Sequence, residues 1–236
     1  MLHWTEERIR RLAAADGACA SPNKCEFAAN ASNTEKEATT LLLHEGYRAG
    51  YTVLEMGLDT SMPVPAHPLP AGIEVRPVSP DQYALIAASI HESYHQEYEG
   101  GRFEENLDAA RYVGELSQPK HDAALWQVAW DGGQIAGQVM SVIEKGRAEV
   151  FEVSVRPAWR RRGLARALLS RALQTLRERG MDVIRLRTVA EFRTRARDLY
   201  GSVGFHVLKE FPRYRKPFNV PKPETISARP IVYAME

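Results

Sequence analysis

Apolar positions recur along this chain with two periods, and the changes between the periods mark its elements. Residues 149–155, EVFEVSV, interleave apolar and polar side chains, whereas Leu164, Ala167, Leu168 and Ala172 recur at helical spacing just downstream. A half-buried strand has period two and an amphipathic helix a period near 3.6, so the stretch predicts strand, turn and helix, with a stop at Arg156 and Pro157. Upstream, residues 73–78 predict a strand, 81–97 a helix preceded by Ser79 and Pro80, and 102–116 a second helix. Residues 125–130 and 134–143 flank Asp131-Gly132-Gly133 and predict a hairpin, because Asp-Gly supplies the positive φ angles of tight turns. The strand from Glu149 follows Lys145-Gly146. The order is therefore strand, two helices, three antiparallel strands, helix, strand, helix, strands.

The first quarter of the chain has its own pattern. Residues 5–15 are helical in period and end at Gly17; residues 25–29 predict a short strand, 31–34 a polar turn, 35–43 a helix and 47–58 a pair of strand-like segments. Residues 62–70, MPVPAHPLP, carry proline at four of nine positions and predict a semi-rigid linker. A self-similarity crosses that linker. Ala38 stands nine residues before Tyr47 as Ala196 stands nine before Phe205, and Gly46 and Gly204 precede the two aromatics. This predicts an internal repeat.

Composition narrows the function classes. A net charge of +1 argues against a general nucleic-acid binder, and the basic residues concentrate between Arg156 and Arg197. No apolar run approaches a membrane span and the first residues lack a signal-peptide core, which predicts a cytosolic protein without membrane partners. Cys19 and Cys25 are the only cysteines and could pair, chelate or do neither; with no histidine close by in sequence and no export signal, inert thiols are favoured.

Candidate chemistry lies at the turn before the helix that begins near Leu164. Gly163 sits where a strand hands over to a helix, so a ligand can approach the peptide plane while the first helical amides stay unpaired. Such amides, backed by the helix dipole, bind anions, pyrophosphate above all. Arg160, Arg161, Arg162 and Arg166 add charge there, although the same residues also suit a solvated basic helix start.

The string from Arg160 to Ala165 resembles the arginine-or-glutamine, x, x, glycine, x, glycine-or-alanine signature of the GNAT N-acyltransferase superfamily. Residues 196–205, ARDLYGSVGF, resemble its second signature, a helix with a tyrosine shortly before Gly-Phe. The resemblance covers roughly residues 72–218 and implies an α+β, three-layer fold with a mixed, mostly antiparallel sheet flanked by helices. It implies acetyl-CoA as co-substrate and a small-molecule amine as acceptor, with no metal. Backbone groups of Val153, Ser154 and Val155 would hold the pantetheine arm, and the amides of Arg161, Arg162, Gly163, Leu164, Ala165 and Arg166 the pyrophosphate. Tyr200 matches the family's acid. Strand alternation puts Glu149 on one face with Phe151, Val153 and Val155, and Glu152 with Ser154 on the other. Tandem relatives of the mycothiol synthase type look similar at Glu149, which favours it as base; a bulge would reverse that choice, and water can also mediate. Arg193 stands where the family often has asparagine.

On this reading residues 1–62 are a partial, degenerate GNAT-like repeat with Leu42 in place of Tyr200, 63–71 the linker, 72–218 a complete GNAT domain and 219–236 a tail. The half-domain should pack on the larger domain or on another chain, which makes a homodimer an expectation. Glu92, Glu97, Glu99, Glu104 and Glu105 cluster in the two helices that border the family's acceptor site and suit a cationic amine. Two alternatives stand beside the enzyme. One is a non-catalytic acyl-CoA-binding module; the other is a zinc hydrolase through His91, Glu92 and His95, which match H-E-x-x-H, with Glu115 downstream.

Overall fold

The structure is a computed structural model that describes residues 1–17, 25–61, 63–95, 109–190 and 196–218. Glu97, Glu99, Glu104, Glu105, Arg193, Cys19, the start of the second predicted helix and the tail from Asn219 lie outside the described residues. In chain order the elements are α1 (Leu2–Ala15), β1 (Glu26–Asn30), α2 (Lys36–His44), β2 (Arg48–Asp59), β3 (Ile73–Arg76), α3 (Tyr83–His95), α4 (Ala109–Leu116), β4 (Gln127–Asp131), β5 (Gln134–Glu144), β6 (Arg147–Val155), α5 (Leu164–Glu178), β7 (Val183–Val189), α6 (Ala196–Gly201) and β8 (His206–Pro217). Residues 48–58 of the stretch expected as two segments belong to one strand, which runs through Gly50 and Gly57 to Asp59. Contacts divide the chain into a larger unit, Val53–Glu210, and a smaller one, Met1–Thr52 with Phe211–Glu236.

The sheet of the larger unit follows the order β2-β7-β6-β5-β4-β3. Its described pairings are antiparallel except β6 with β7, which are parallel because α5 carries the chain back between them. That parallel pairing covers Ala148↔Ile184, Glu149↔Arg185 and Val150↔Leu186. Beyond it β6 runs on to Val155 and β7 to Val189, so the two strands part and leave backbone edges facing a cleft. The core beneath is built by the periodic face of α5, where Leu164, Leu168, Leu169, Leu173 and Leu176 are all buried together with Val128, Val139 and Met140 of the sheet. Each such side chain stabilises the fold by ~1.5–3 kcal/mol.

The strand beside β7 comes from the N-terminal segment. Residues 53–59 of β2 pair with β7 from Val53↔Val189 to Asp59↔Val183, and Leu54, Met56 and Leu58 are buried there. The sequence boundaries at 62 and 72 therefore fall inside the larger unit. Val64 and Leu69 of the proline-rich segment pack on the same core, so that segment is a strap rather than a free spacer. Among the described residues no helix is long and apolar enough to cross a membrane.

In the smaller unit β1 pairs antiparallel with the end of β8, from Glu26↔Pro217 to Asn30↔Arg213. Phe27, Ala31, Leu42, Tyr47 and Tyr214 form its core, with Phe218 stacked on Phe27 at 4.3 Å. Lys216 Nζ donates to Glu6 Oε1 at 2.9 Å, and both side chains are only 4% exposed. Cys25 is disulfide-bonded, which corrects the expectation of inert thiols. Pairing depends on how the backbone brings two cysteines together, and composition is blind to that. The chain's other cysteine, Cys19, lies outside the described residues.

The two helix ends singled out by the sequence share one local geometry. Tyr47 N donates to Leu42 O at 3.0 Å and Gly46 N to Leu43 O at 3.1 Å; Phe205 N donates to Tyr200 O at 3.1 Å and Gly204 N to Gly201 O at 3.1 Å. Both glycines have the left-handed φ that closes a helix, +84° and +107°.

Candidate active site

The parted edges of β6 and β7 open into a cavity of about 600 Å³, lined by residues 150–155 on one side and Arg187 and Thr188 on the other. The start of α5 and Tyr200 of α6 complete it. Of the residues expected at the site, Val153, Ser154, Val155, Arg161, Gly163, Leu164, Ala165, Arg166 and Tyr200 line this cavity, whereas Arg162 and Glu149 do not.

The turn before α5 is shaped by handedness. Gly163, at the N-cap, has φ +83°, and Arg161 has φ +62°. Arg161 and Lys145 are the non-glycine residues with positive φ among those described. Such a conformation costs a bulky residue on the order of 1–3 kcal/mol, and it clusters at sites that bind ligands. Successive amides in alternating hands form an anion-binding concavity. A Cβ built on Gly163 would meet nothing within 4 Å, so glycine is required here by φ, and the space before its peptide is open. Ala167 N donates to Gly163 O, which begins the helical ladder and leaves the amides ahead of it without an intrahelical acceptor.

Two arginines beside this turn are structural. Arg160 donates through Nε to Val155 O at 3.0 Å and through Nη2 to Ser93 O, tying the turn to the end of β6 and to α3. Arg156 holds Glu92 Oε2 with Nε and Nη2, each at 2.7 Å, and gives Nη1 to Ile135 O. Glu92, the base of the zinc alternative, is thus one half of an ion pair. Glu115 pairs with Lys120 at 2.7 Å, and among the described residues no group of three or more His, Cys, Asp or Glu is placed to hold a metal ion.

The registers of β5 and β6 slip between Met140 and Ser141: Met140 faces Glu152 and Ser141 faces Val150, so Phe151 is the extra residue of a β-bulge. Glu152 is buried beside it. Tyr94 donates to Glu152 Oε1 at 2.9 Å and Tyr112 approaches Oε2 at 3.5 Å. Burial pushes the Glu152 carboxyl above the usual range, against the lowering effect of hydrogen bonds from Ser154, Tyr94 and Tyr112. The Tyr112 hydroxyl is pushed up by burial and then by the Glu152 charge. Ser154 is fixed in turn by Gln138, whose Oε1 accepts from Ser89 at 2.8 Å.

Phe151 and Glu152 also line a second cavity of about 540 Å³, together with Tyr112, Glu115, Lys120, His121 and Glu149. Glu149 further borders a polar cavity of about 440 Å³ with Glu55, Arg185 and Arg187. The structure thus joins Glu152 with Tyr200 in one cavity and Glu149 with Glu152 in the next. Tyr200 is 7% exposed and packs edge-on against Phe205 at 6.2 Å, so it serves the core and the cavity at once. Tyr94, Tyr112 and His121 were missed by sequence reasoning. Tyr94 lay inside the H-E-x-x-H string, where the histidines drew the reading, and nothing local marks the other two.

Residues 87–205 match the model of the acetyltransferase (GNAT) family. The chain is 31% identical over 157 residues to a mycothiol acetyltransferase of Beutenbergia cavernae, covering 64% of this chain and 51% of that protein. It spans about half the length of the curated relatives it matches. Among solved structures, a GCN5-related N-acetyltransferase from Sphaerobacter thermophilus superposes with a TM-score of 0.75 at 25% identity, over 94% of this chain and 67% of that one. A tandem GNAT protein from the clavulanic acid biosynthesis pathway shares the fold with a TM-score of 0.59 at 15% identity, over 84% of this chain and 65% of that one.

Proposed function

Because the chain belongs to the acetyltransferase (GNAT) family, we propose that it transfers an acetyl group from acetyl-CoA to a primary amine of a small molecule, by direct attack with both substrates bound. One observation carries this reading: a single cavity holds the edge of β6 that its pairing with β7 leaves past Val150, a left-handed turn at a helix start and a buried tyrosine. In this reading the pantetheine arm lies along residues 151–155 of β6, where β7 has turned away, and extends the sheet by one strand. The pyrophosphate rests on the amides from Arg161 to Arg166, where the helix dipole and the open space before Gly163 favour an anion. The likeness to mycothiol acetyltransferases supports acetyl as the group that moves.

The proton balance assigns the remaining roles. An amine that arrives as ammonium must lose one proton before it attacks and a second as the amide forms, while the departing thiolate takes up one. Tyr200, in the cavity wall, gives its hydroxyl proton to the thiolate. Glu149 and Glu152 line the neighbouring cavity and receive the amine's protons directly or through water. Of the two, Glu152 borders both cavities, which makes it the better placed base; Glu149 remains the candidate on the open side. Residues 1–62 are, on the same reading, a degenerate copy of the second half of the fold. The matched helix ends at Leu42 and Tyr200 support that.

Isothermal titration with acetyl-CoA tests the reading. The native chain should bind one acetyl-CoA saturably, and Gly163→Asp should abolish binding by placing a carboxylate in the phosphate cradle. Tyr200→Phe should keep binding and lower turnover by about a hundredfold. If the native chain does not bind acetyl-CoA, the reading is wrong.

A further inference from the structure

His121 follows α4 in the turn towards β4, where its amide donates to Gln118 O at 2.9 Å. Its side chain is 4% exposed, yet it lines the second cavity. Neither ring nitrogen has a hydrogen-bond partner among the described residues. Glu115 Oε1 stands 3.8 Å from Nε2, beyond hydrogen-bond reach, and already accepts from Lys120. The ring is held in place, tilted against Phe151 at 4.9 Å and edge-on to Trp126 at 6.3 Å. A buried imidazole without partners forfeits the hydrogen bonds it makes in water, and a ligand can restore them.

The same wall indicates what that ligand is. Burial, and then the Lys120 cation beside it, push the His121 imidazole below its usual range, so at neutral pH it offers a nitrogen lone pair to an incoming N–H. The cavity carries the carboxyls of Glu115, Glu144, Glu149 and Glu152 against the cations Arg111 and Lys120, a balance that favours a positive guest. Phe151 and Glu152 belong also to the cavity of Tyr200, so the guest adjoins the place proposed for the acyl donor.

We propose that His121 contacts the acceptor: its cavity takes the ammonium-bearing end of a small cationic amine, one N–H of which donates to the imidazole while Glu149 and Glu152 flank it. This rests on the transferase reading above and makes His121 a specificity-determining residue of that reaction. The test uses the full chain with CoA bound and cadaverine, glucosamine, lysine amide and tyramine as probes. In protein carrying isotope-labelled histidine, at least one of these amines should shift the His121 imidazole resonances, and pentanol should not. With acetyl-CoA, His121→Ala should raise that amine's KM about tenfold or more, and His121→Asn, which keeps a side-chain acceptor, by less. Acetyl-CoA affinity should stay within about twofold in both variants, which also reports that they fold. An imidazole that none of the amines moves overturns the proposal, as does an unchanged acceptor KM in a folded His121→Ala. A native chain that fails to bind acetyl-CoA overturns the transferase reading instead, and the two failures are told apart by that binding.

Discussion

A single carboxyl shows what burial does at the scale of a residue. Glu152 is buried between Tyr94 and Tyr112 on a strand whose edge lines two cavities. Its folded-state pKa lies above the unfolded value because burial penalises the charge more than three hydrogen bonds favour it. Between those two values the folded chain binds more protons than the unfolded one, so stability falls as pH rises through the window. Glu152→Gln keeps an acceptor for Tyr94, offers Tyr112 an amide N–H that its hydroxyl oxygen can accept, and removes the charge. Its melting temperature should therefore exceed that of the native chain at about pH 8, by a margin that shrinks as pH falls towards about 4.5. A margin that does not vary with pH would show that the carboxyl is not held above its usual range.

At the scale of an element, the cleft depends on β6 lying close to β5 while it parts from β7. Gly137 of β5 makes the first possible: a Cβ there would stand 2.7 Å from Ser154 O, a backbone atom that cannot rotate away. Gly137→Ala must push the strand that carries Val153 to Val155 outwards. It should cost about 1–3 kcal/mol in denaturant unfolding and weaken acetyl-CoA binding together, because one displacement causes both. A loss of stability with unchanged binding would separate the strand's position from the site. The bulge at Phe151 acts on the same strand and sets which carboxyl meets which cavity.

At the scale of the whole molecule, strands reach from one part of the sequence into another. Residues 53–59 precede the proline-rich segment and yet form the strand beside β7, burying Leu54, Met56 and Leu58. A chain beginning at residue 63 would leave β7 as an open edge and lose those side chains. At ~1.5–3 kcal/mol each they account for a large part of the ~5–15 kcal/mol that holds a domain folded. Such a chain should lack a cooperative thermal transition by circular dichroism, whereas residues 1–218 should show one. A cooperative melt of the shorter chain would mean that β7 does not need β2.

What the sequence alone determined is what neighbours in the chain decide. The period of α5, the stop at Pro157, the hairpin at Asp131-Gly132, the glycine at the start of α5 and the tyrosine before Gly204-Phe205 each follow from contacts or φ angles within a few residues, and each was legible. The paired helix ends at Leu42 and Tyr200 were visible for the same reason. What only the tertiary structure decided are partnerships across long separations. Arg156 meets Glu92, Tyr94 and Tyr112 meet Glu152, and β2 meets β7, because strand registers and helix packing bring them together. A one-residue slip at Phe151 lets Glu149 and Glu152, which strict alternation puts on opposite faces, line one cavity, and no local signal in EVFEVSV encodes it. His121 was hidden likewise: that neither ring nitrogen finds a hydrogen-bond partner among the described residues depends on everything folded around it.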